Sequence, residues 1–191
     1  MQIHHSIALI LSALFIQACA PLLIGGAATT AGVIHERRTA GTVIDDNTLE
    51  VLVFGKLSGD DLVSDNSHIN VTAYNGQVLL SGEVFNEQIR ARAVDIVQQI
   101  GYVKLIQNQL IIGRKSTLAE RTYDTKQTAK VKIALLDVAV AGFDPTRVKV
   151  VTEHGITYLM GLVSEQEAKA ATEIARRVSG VRKVITYFEI R

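Results

Sequence analysis

The sequence predicts an α+β fold of two tandem modules, each with the element order α-β-β-α-β and a three-stranded mixed sheet packed on two helices. Three observations support this prediction. The chain repeats itself without a gap at an offset of 79 residues, which pairs Gly76 with Gly155. Each copy has two alternating segments around a turn sequence, and each has stretches with apolar residues at helical spacing. A module of about 65 residues can fold in this way with a small core.

The amino terminus is expected to be a lipoprotein signal peptide. The uncharged apolar run from Ile7 to Ile16 has the length of a signal-peptide core, and it is too short to cross a hydrocarbon layer of about 30 Å as a helix. The next residues, Gln17-Ala18-Cys19, complete a segment similar to a bacterial lipobox. We therefore predict a signal peptide at residues 1–18 and lipidation at Cys19, with a buried structural cysteine as the alternative.

A tether is expected between the lipid and the first module. The tether is assigned to residues 19–45, because residues 21–41 are rich in Gly, Ala and Thr and show no sustained helical or strand period. By analogy with lipoproteins of Gram-negative bacteria, Ala20 after the cysteine implies sorting to the outer membrane, at its periplasmic face.

Four glycines are expected to shape the turns of the modules. Asn75-Gly76 lies between two alternating segments, which is a strong signal for a type I′ hairpin, and His154-Gly155 occupies the same place in the second copy. Gly82 and Gly161 are expected to end the second strand of each hairpin, where the missing Cβ lets the chain turn.

Helical spacing places two helices in each module. The first helices are expected at Asn47–Leu57 and Thr125–Val140, and the second at Asn86–Ile100 and Ser164–Ser179. Hydrophobic strands should close the modules at Lys104–Ile112 and Lys183–Ile190. The resulting domain boundaries are 46–113 and 122–191, joined by a basic linker at 114–121.

The repeated pattern resembles the BON domain, a family of bacterial envelope proteins. It consists of a glycine, a strand, Gly-x-Val, an alanine-rich helix, a glycine and a final strand. The residues that carry it are Gly76, Gly82, Val84, Ala91, Gly101, Gly155, Gly161, Val163, Ala170 and Gly180. With the lipobox, this tandem resembles the dual-BON lipoproteins of the outer membrane. The resemblance implies contact with phospholipid, which BON domains are proposed to bind.

Charge and motifs argue against several other classes of function. The net charge of +1 gives no sign of nucleic-acid binding by the whole chain. No His pair has metal-ligand spacing, and no nucleophile motif is present, so we expect no metal, no cofactor and no enzymatic activity.

The charge is nevertheless divided between the modules. Residues 46–113 hold eight acids and four bases, whereas residues 114–191 hold nine acids and fourteen bases. We therefore expect the more basic second module to bind an anionic phospholipid membrane.

Cations beside apolar residues in the predicted helix Thr125–Val140 favour a lipid interface. The residues expected to bind lipid are Lys126, Lys130, Val131, Lys132 and Leu135, with Tyr158 on a nearby strand. One alternative is that Val131 and Leu135 belong to the core and the lysines form a solvated face. Another is an interaction protein that docks on envelope assembly proteins, with membrane contact only through Cys19.

Overall fold

The first module contains three helices and three strands. The computed structural model of the protein describes residues 36–191, so the predictions for residues 1–35, including the signal peptide and Cys19, lie outside the described residues. The elements are α1 (Ala40–Ser58), α2 (Asp61–Asp65), β1 (Ser67–Tyr74), β2 (Gln77–Val84), α3 (Glu87–Gln98) and β3 (Leu105–Ile112). Only the short helix α2 is an addition to the predicted order.

The second module repeats this arrangement. Its elements are α4 (Leu118–Ala134), two 3₁₀ turns (Leu135–Asp137 and Pro145–Arg147), β4 (Val148–Glu153), β5 (Ile156–Val163), α5 (Glu165–Arg177) and β6 (Lys183–Ile190). In both sheets the first two strands are antiparallel and the third lies parallel to the second, in the order β1-β2-β3 and β4-β5-β6. The predicted α+β fold with two mixed sheets is confirmed.

The first helix of each module begins earlier than predicted. Helix α1 begins at Ala40 because the Thr39 side chain accepts the Thr42 N–H, so the end of the predicted tether is helical. Helix α4 begins at Leu118 because Thr117 and Glu120 form a reciprocal capping box. The last four residues of the predicted linker, 118–121, are therefore helical, and the regular helix ends at Ala134 rather than at residue 140.

The two hairpin turns have the predicted geometry. Asn75 and Gly76 have φ of 52° and 79°, and His154 and Gly155 have φ of 52° and 69°, as a type I′ turn requires. An aspartate of the first helix of each module holds the turn. Asp46 accepts the N–H groups of Asn75 and Gly76 at 2.7 and 2.8 Å, and Asp124 accepts those of His154 and Gly155 at 2.8 and 3.0 Å.

Gly82 and Gly161 were predicted to end the second strand of each hairpin, which is wrong. They lie two residues before the ends of β2 and β5. The physical reason is the close approach of the neighbouring strand. A Cβ on Gly82 would overlap the carbonyl oxygen of His68, and one on Gly161 would lie 2.7 Å from that of Arg147. Gly82 also has a φ of +113°, which a side chain disfavours.

Each module has its own hydrophobic core between its helices and one face of its sheet. The first core is formed by residues such as Leu49, Val53, Ala73, Val78, Leu80, Ala93 and Val97. The second is formed by Val131, Leu135, Val138, Val148, Val150, Leu159, Val163, Ala171 and Ala175. The helices therefore cover one face of each sheet, and the opposite faces are available for contact between the modules.

Candidate functional site

Helix α4 has two faces of different character. Its inner face carries Asp124, Gln127 and Val131, which are buried. The outer face and the turn that follows carry three large apolar and three cationic side chains, which we call the α4 stripe: Leu118, Lys126, Lys130, Lys132, Ile133 and Leu136. The apolar members are 79%, 66% and 68% exposed, and the three lysines are also exposed. At about 100° per residue, Ile133 lies between Leu118 and Lys126 around the helix, while Lys130 and Lys132 lie on opposite flanks.

Three of the residues predicted to bind lipid are not on this surface. Val131 and Leu135 are fully buried in the core of the second module, and Tyr158 is buried between the modules. An apolar pair spaced by four residues lies on one helix face, and here that face packs on the sheet. The alternative that assigned Val131 and Leu135 to the core is therefore correct.

The apolar residues of the stripe were missed by the sequence analysis. Leu118 fell in the predicted linker, and Ile133 and Leu136 were not separated from the core positions beside them. The 3.6-residue period of the helix could have separated them from the core, because residues 118, 122, 126, 129 and 133 share a face opposite Val131. The capping box at Thr117 and Glu120 would have placed the helix start.

The two modules pack sheet against sheet. A buried cluster at this junction contains Tyr74 and Leu79 from the first module and Tyr158 and Met160 from the second. The Leu162 N–H donates to the Tyr74 hydroxyl at 3.0 Å. Burial raises the pKa of Tyr74 to about 12, so this hydroxyl stays protonated at neutral pH.

Polar contacts surround this apolar cluster. Asn75 and Gln77 donate to the Glu189 carboxylate at 2.7 and 2.8 Å. Asn70 donates to Glu153, and His154 contacts Glu83. The junction therefore combines an apolar centre with side-chain hydrogen bonds between the modules.

Residues 36–39, which we call the strap, bind to both modules. Arg37 donates twice to the Glu167 carboxylate of the second module, at 2.6 and 2.9 Å. Arg38 donates to Asp46 of the first module at 2.6 Å and lies 3.7 Å from the centre of the Tyr74 ring. The strap, which directly precedes α1, is therefore bound at the junction between the two modules.

The strap pairs the charge of Arg37 with the buried carboxylate of Glu167. Burial opposes ionisation of Glu167, but hydrogen bonds from Arg37 and the Ser164 backbone outweigh it and lower the pKa of this carboxyl group. The Glu167 side chain is only 3% exposed, so its charge depends on these partners.

The described part of the chain contains neither a metal cluster nor a membrane span. Within residues 36–191, no three His, Cys, Asp or Glu side chains are grouped so that they could hold a metal ion. No helix in the same range is long and apolar enough to cross a bilayer.

Comparison with known proteins accounts for the repeated architecture. The family model described as "BON domain" matches residues 45–114 and again residues 123–191. The chain belongs to the BON-domain family. It is 36% identical over 177 residues to the outer membrane lipoprotein DolP of Haemophilus influenzae, which covers 92% of this chain and 90% of that protein. This dual-BON protein is therefore a DolP-type lipoprotein of the outer membrane.

The chain is also similar to two further proteins. The BON protein is 38% identical over 148 residues to a protein named 21 kDa hemolysin from Actinobacillus pleuropneumoniae, covering 78% of this chain and 75% of that protein. It is 28% identical over 148 residues to osmotically-inducible protein Y of Escherichia coli, covering 75% and 72% of the two chains.

Proposed function

We propose that this dual-BON lipoprotein binds anionic phospholipid through the α4 stripe. It is a non-catalytic protein that is anchored by Cys19 at the periplasmic face of the outer membrane, where it supports membrane integrity. The observation that carries the proposal is that α4 and the turn that follows it expose three apolar side chains together with three lysines. Apolar side chains enter the boundary between headgroups and acyl chains, while lysines attract the anionic headgroups.

The stripe supports a contact of modest strength. Each lysine near an anionic surface contributes about 1 kcal/mol, and each partly inserted apolar side chain contributes a similar amount. The described residues include no Trp, and Tyr123 is the half-exposed aromatic residue of α4. A stripe of this kind is suited to holding an already anchored protein against the membrane.

The test compares two charge-reversal variants of the chain prepared without its lipid by Cys19→Ser. One carries Lys126→Glu, Lys130→Glu and Lys132→Glu. The matched control carries Lys169→Glu, Arg176→Glu and Arg177→Glu on the exposed surface of α5. Both change the net charge of the same module by the same amount, so only the position of the charges differs.

We expect the α4 variant to lose binding to vesicles of phosphatidylglycerol and phosphatidylcholine by at least about 100-fold, since three lost attractions of about 1 kcal/mol correspond to more than two powers of ten. The α5 variant should lose much less. Equal losses in the two variants would show that general charge, rather than the stripe, attracts the protein.

The apolar part of the stripe needs a separate test. Ile133→Ser with Leu136→Ser should weaken vesicle binding by roughly tenfold or more while leaving the unfolding curve unchanged, because both side chains are exposed. Ile44→Ser, which removes an exposed apolar residue from α1, is the control and should bind vesicles normally.

Docking on an envelope assembly protein is the second candidate function. The observation that favours it is an uncharged outer face on α1, where Ile44, Val51 and Phe54 are 64%, 73% and 57% exposed. A patch of this kind is typical of protein contacts, and without cations it has no attraction to anionic lipid. Failure of the lipid-free protein to bind any vesicle would favour this function over the first.

A further inference from the structure

Acidic and basic groups are concentrated at one end of the junction between the modules. Glu153 ends β4, accepts a hydrogen bond from Asn70 of β1, and is 8% exposed. The next residue, His154, contacts the Glu83 carboxylate of β2, which is 1% exposed. Groups from both modules therefore meet at this place, and a buried carboxyl group, that of Glu153, lies among them.

We propose that this end of the junction is a proton-dependent latch, which holds the two sheets together more tightly at mildly acidic pH than at alkaline pH. The latch is formed by Glu153 and His154 of the second module and by Glu83 and Asn70 of the first. This proposal does not rest on lipid binding, because each of its tests measures contact between the modules.

Glu153 supplies the first part of the argument. Burial, together with the nearby carboxylates of Asp124 and Glu83, raises the pKa of Glu153 to about 7. When the sheets separate, Glu153 regains water and the pKa returns towards its ordinary value of 4.5. The closed junction therefore binds one more proton than the open junction between these two values, and falling pH favours closure.

His154 adds a second contact between the modules at this place. Its imidazole contacts the Glu83 carboxylate of β2. The Glu83 carboxylate also accepts the Ser116 N–H at 3.1 Å and is buried. This contact and the hydrogen bond from Asn70 to Glu153 both cross the junction, so both are lost when the sheets separate.

Other charged groups surround the latch. Asp124 of α4 holds the hairpin turn through the N–H groups of His154 and Gly155, and Arg182 donates to the His154 carbonyl. On the other side of Glu83 lies His68. Burial, and the nearby charges of Arg121 and Lys115, lower the pKa of His68. His68 consequently opposes the uptake of a further proton, and the proton taken up on closure is assigned to Glu153.

The Leu162 amide offers a direct measure of opening. It donates across the junction to the Tyr74 hydroxyl, so this hydrogen bond breaks when the sheets separate. Native-state hydrogen exchange at this amide, corrected for the intrinsic rate at each pH, gives the ratio of closed to open junctions. The Ala93 amide in helix α3 reports opening of the first module alone and is the internal control.

In the full chain, we expect the protection factor of Leu162 to rise by up to about tenfold per pH unit as the pH falls from 7 to 5. Protection at Ala93 should change much less. In Glu153→Gln, whose amide resembles the protonated acid, protection of Leu162 should already be high at pH 8 and its pH dependence should be reduced. Glu165→Gln, an exposed glutamate at the start of α5, should keep the wild-type profile.

Two results would overturn the latch. One is protection of Leu162 that does not vary between pH 5 and 8 in the wild-type chain. The other is a directly measured carboxyl titration of Glu153, by carbon-13 NMR of the unaltered protein, that lies near its ordinary value. The second measurement needs no variant, so it decides the question even if Glu153→Gln fails to fold.

Discussion

Replacing Arg37 tests whether the strap holds the two modules together. Arg37→Gln removes both donors at 2.6 and 2.9 Å from Glu167, whose side chain is 3% exposed. Loss of one partner from a buried ion pair costs about 3 to 5 kcal/mol. Arg147 remains 3.5 Å from the same carboxylate and the Ser164 N–H remains at 2.7 Å. Because these two partners remain, we expect a smaller loss of about 2 to 3 kcal/mol.

The assay is urea unfolding of the wild-type and variant chains at neutral pH. The control is Arg176→Gln, which breaks an ion pair with Glu173 that is of similar length, 2.8 Å, but is about half exposed. An exposed pair of this kind contributes at most about 0.5 kcal/mol within a helix. Similar small losses in the two variants would show that the strap does not hold the junction.

The pH dependence of this difference has a defined sign. The folded state lowers the pKa of Glu167, so the stabilisation by Arg37 is present above the unfolded value of about 4.5 and is lost as the pH falls through the folded value. The curves of wild type and Arg37→Gln should therefore converge in acid. A difference in stability that grows below pH 4 would contradict this account of the ion pair.

Further substitutions test the anchor, the close approach of the strands at Gly82 and the hairpin turns. Cys19→Ala should release the protein from the membrane fraction, and tight retention of the variant would contradict the lipoprotein prediction. Gly82→Ala should destabilise the first module by about 2 to 5 kcal/mol in thermal unfolding, since the added methyl group overlaps a carbonyl oxygen and residue 82 has a positive φ. Gly101→Ala is the control and should have little effect, because the added methyl group meets nothing within 4 Å. Gly76→Val or Gly155→Val should cost roughly 1 to 3 kcal/mol, and an unchanged melting curve would argue against the type I′ turn.

The repeat made most of the fold predictable from the sequence. The hairpins, the second helices and the final strands follow the constant offset, since local turn chemistry and periodicity determine them. The turn-holding aspartates Asp46 and Asp124 are 78 residues apart rather than 79, so a gapless alignment does not pair them. Their role was visible only after the helices had been placed against the hairpins.

The candidate site was only partly predictable. Lys126, Lys130 and Lys132 are exposed, which both a lipid interface and a solvated face require, but Val131, Leu135 and Tyr158 are buried. Helical phase separates the two faces of a helix without saying which one the rest of the protein covers. The junction was less predictable still, because a polar strand residue such as Glu83 has the same local pattern whether it meets solvent or another sheet.

The contacts of the strap with both modules also limit how far the modules can lie from the lipid that we propose at Cys19. Residues 20–35 number sixteen, and at about 3.5 Å per residue they cannot exceed roughly 55 Å in any conformation. A protein confined within that distance of a membrane meets its surface at an effective concentration on the order of millimolar. An individually weak contact through the α4 stripe would then be occupied for much of the time, and small changes in its affinity would change how often the modules lie against the membrane.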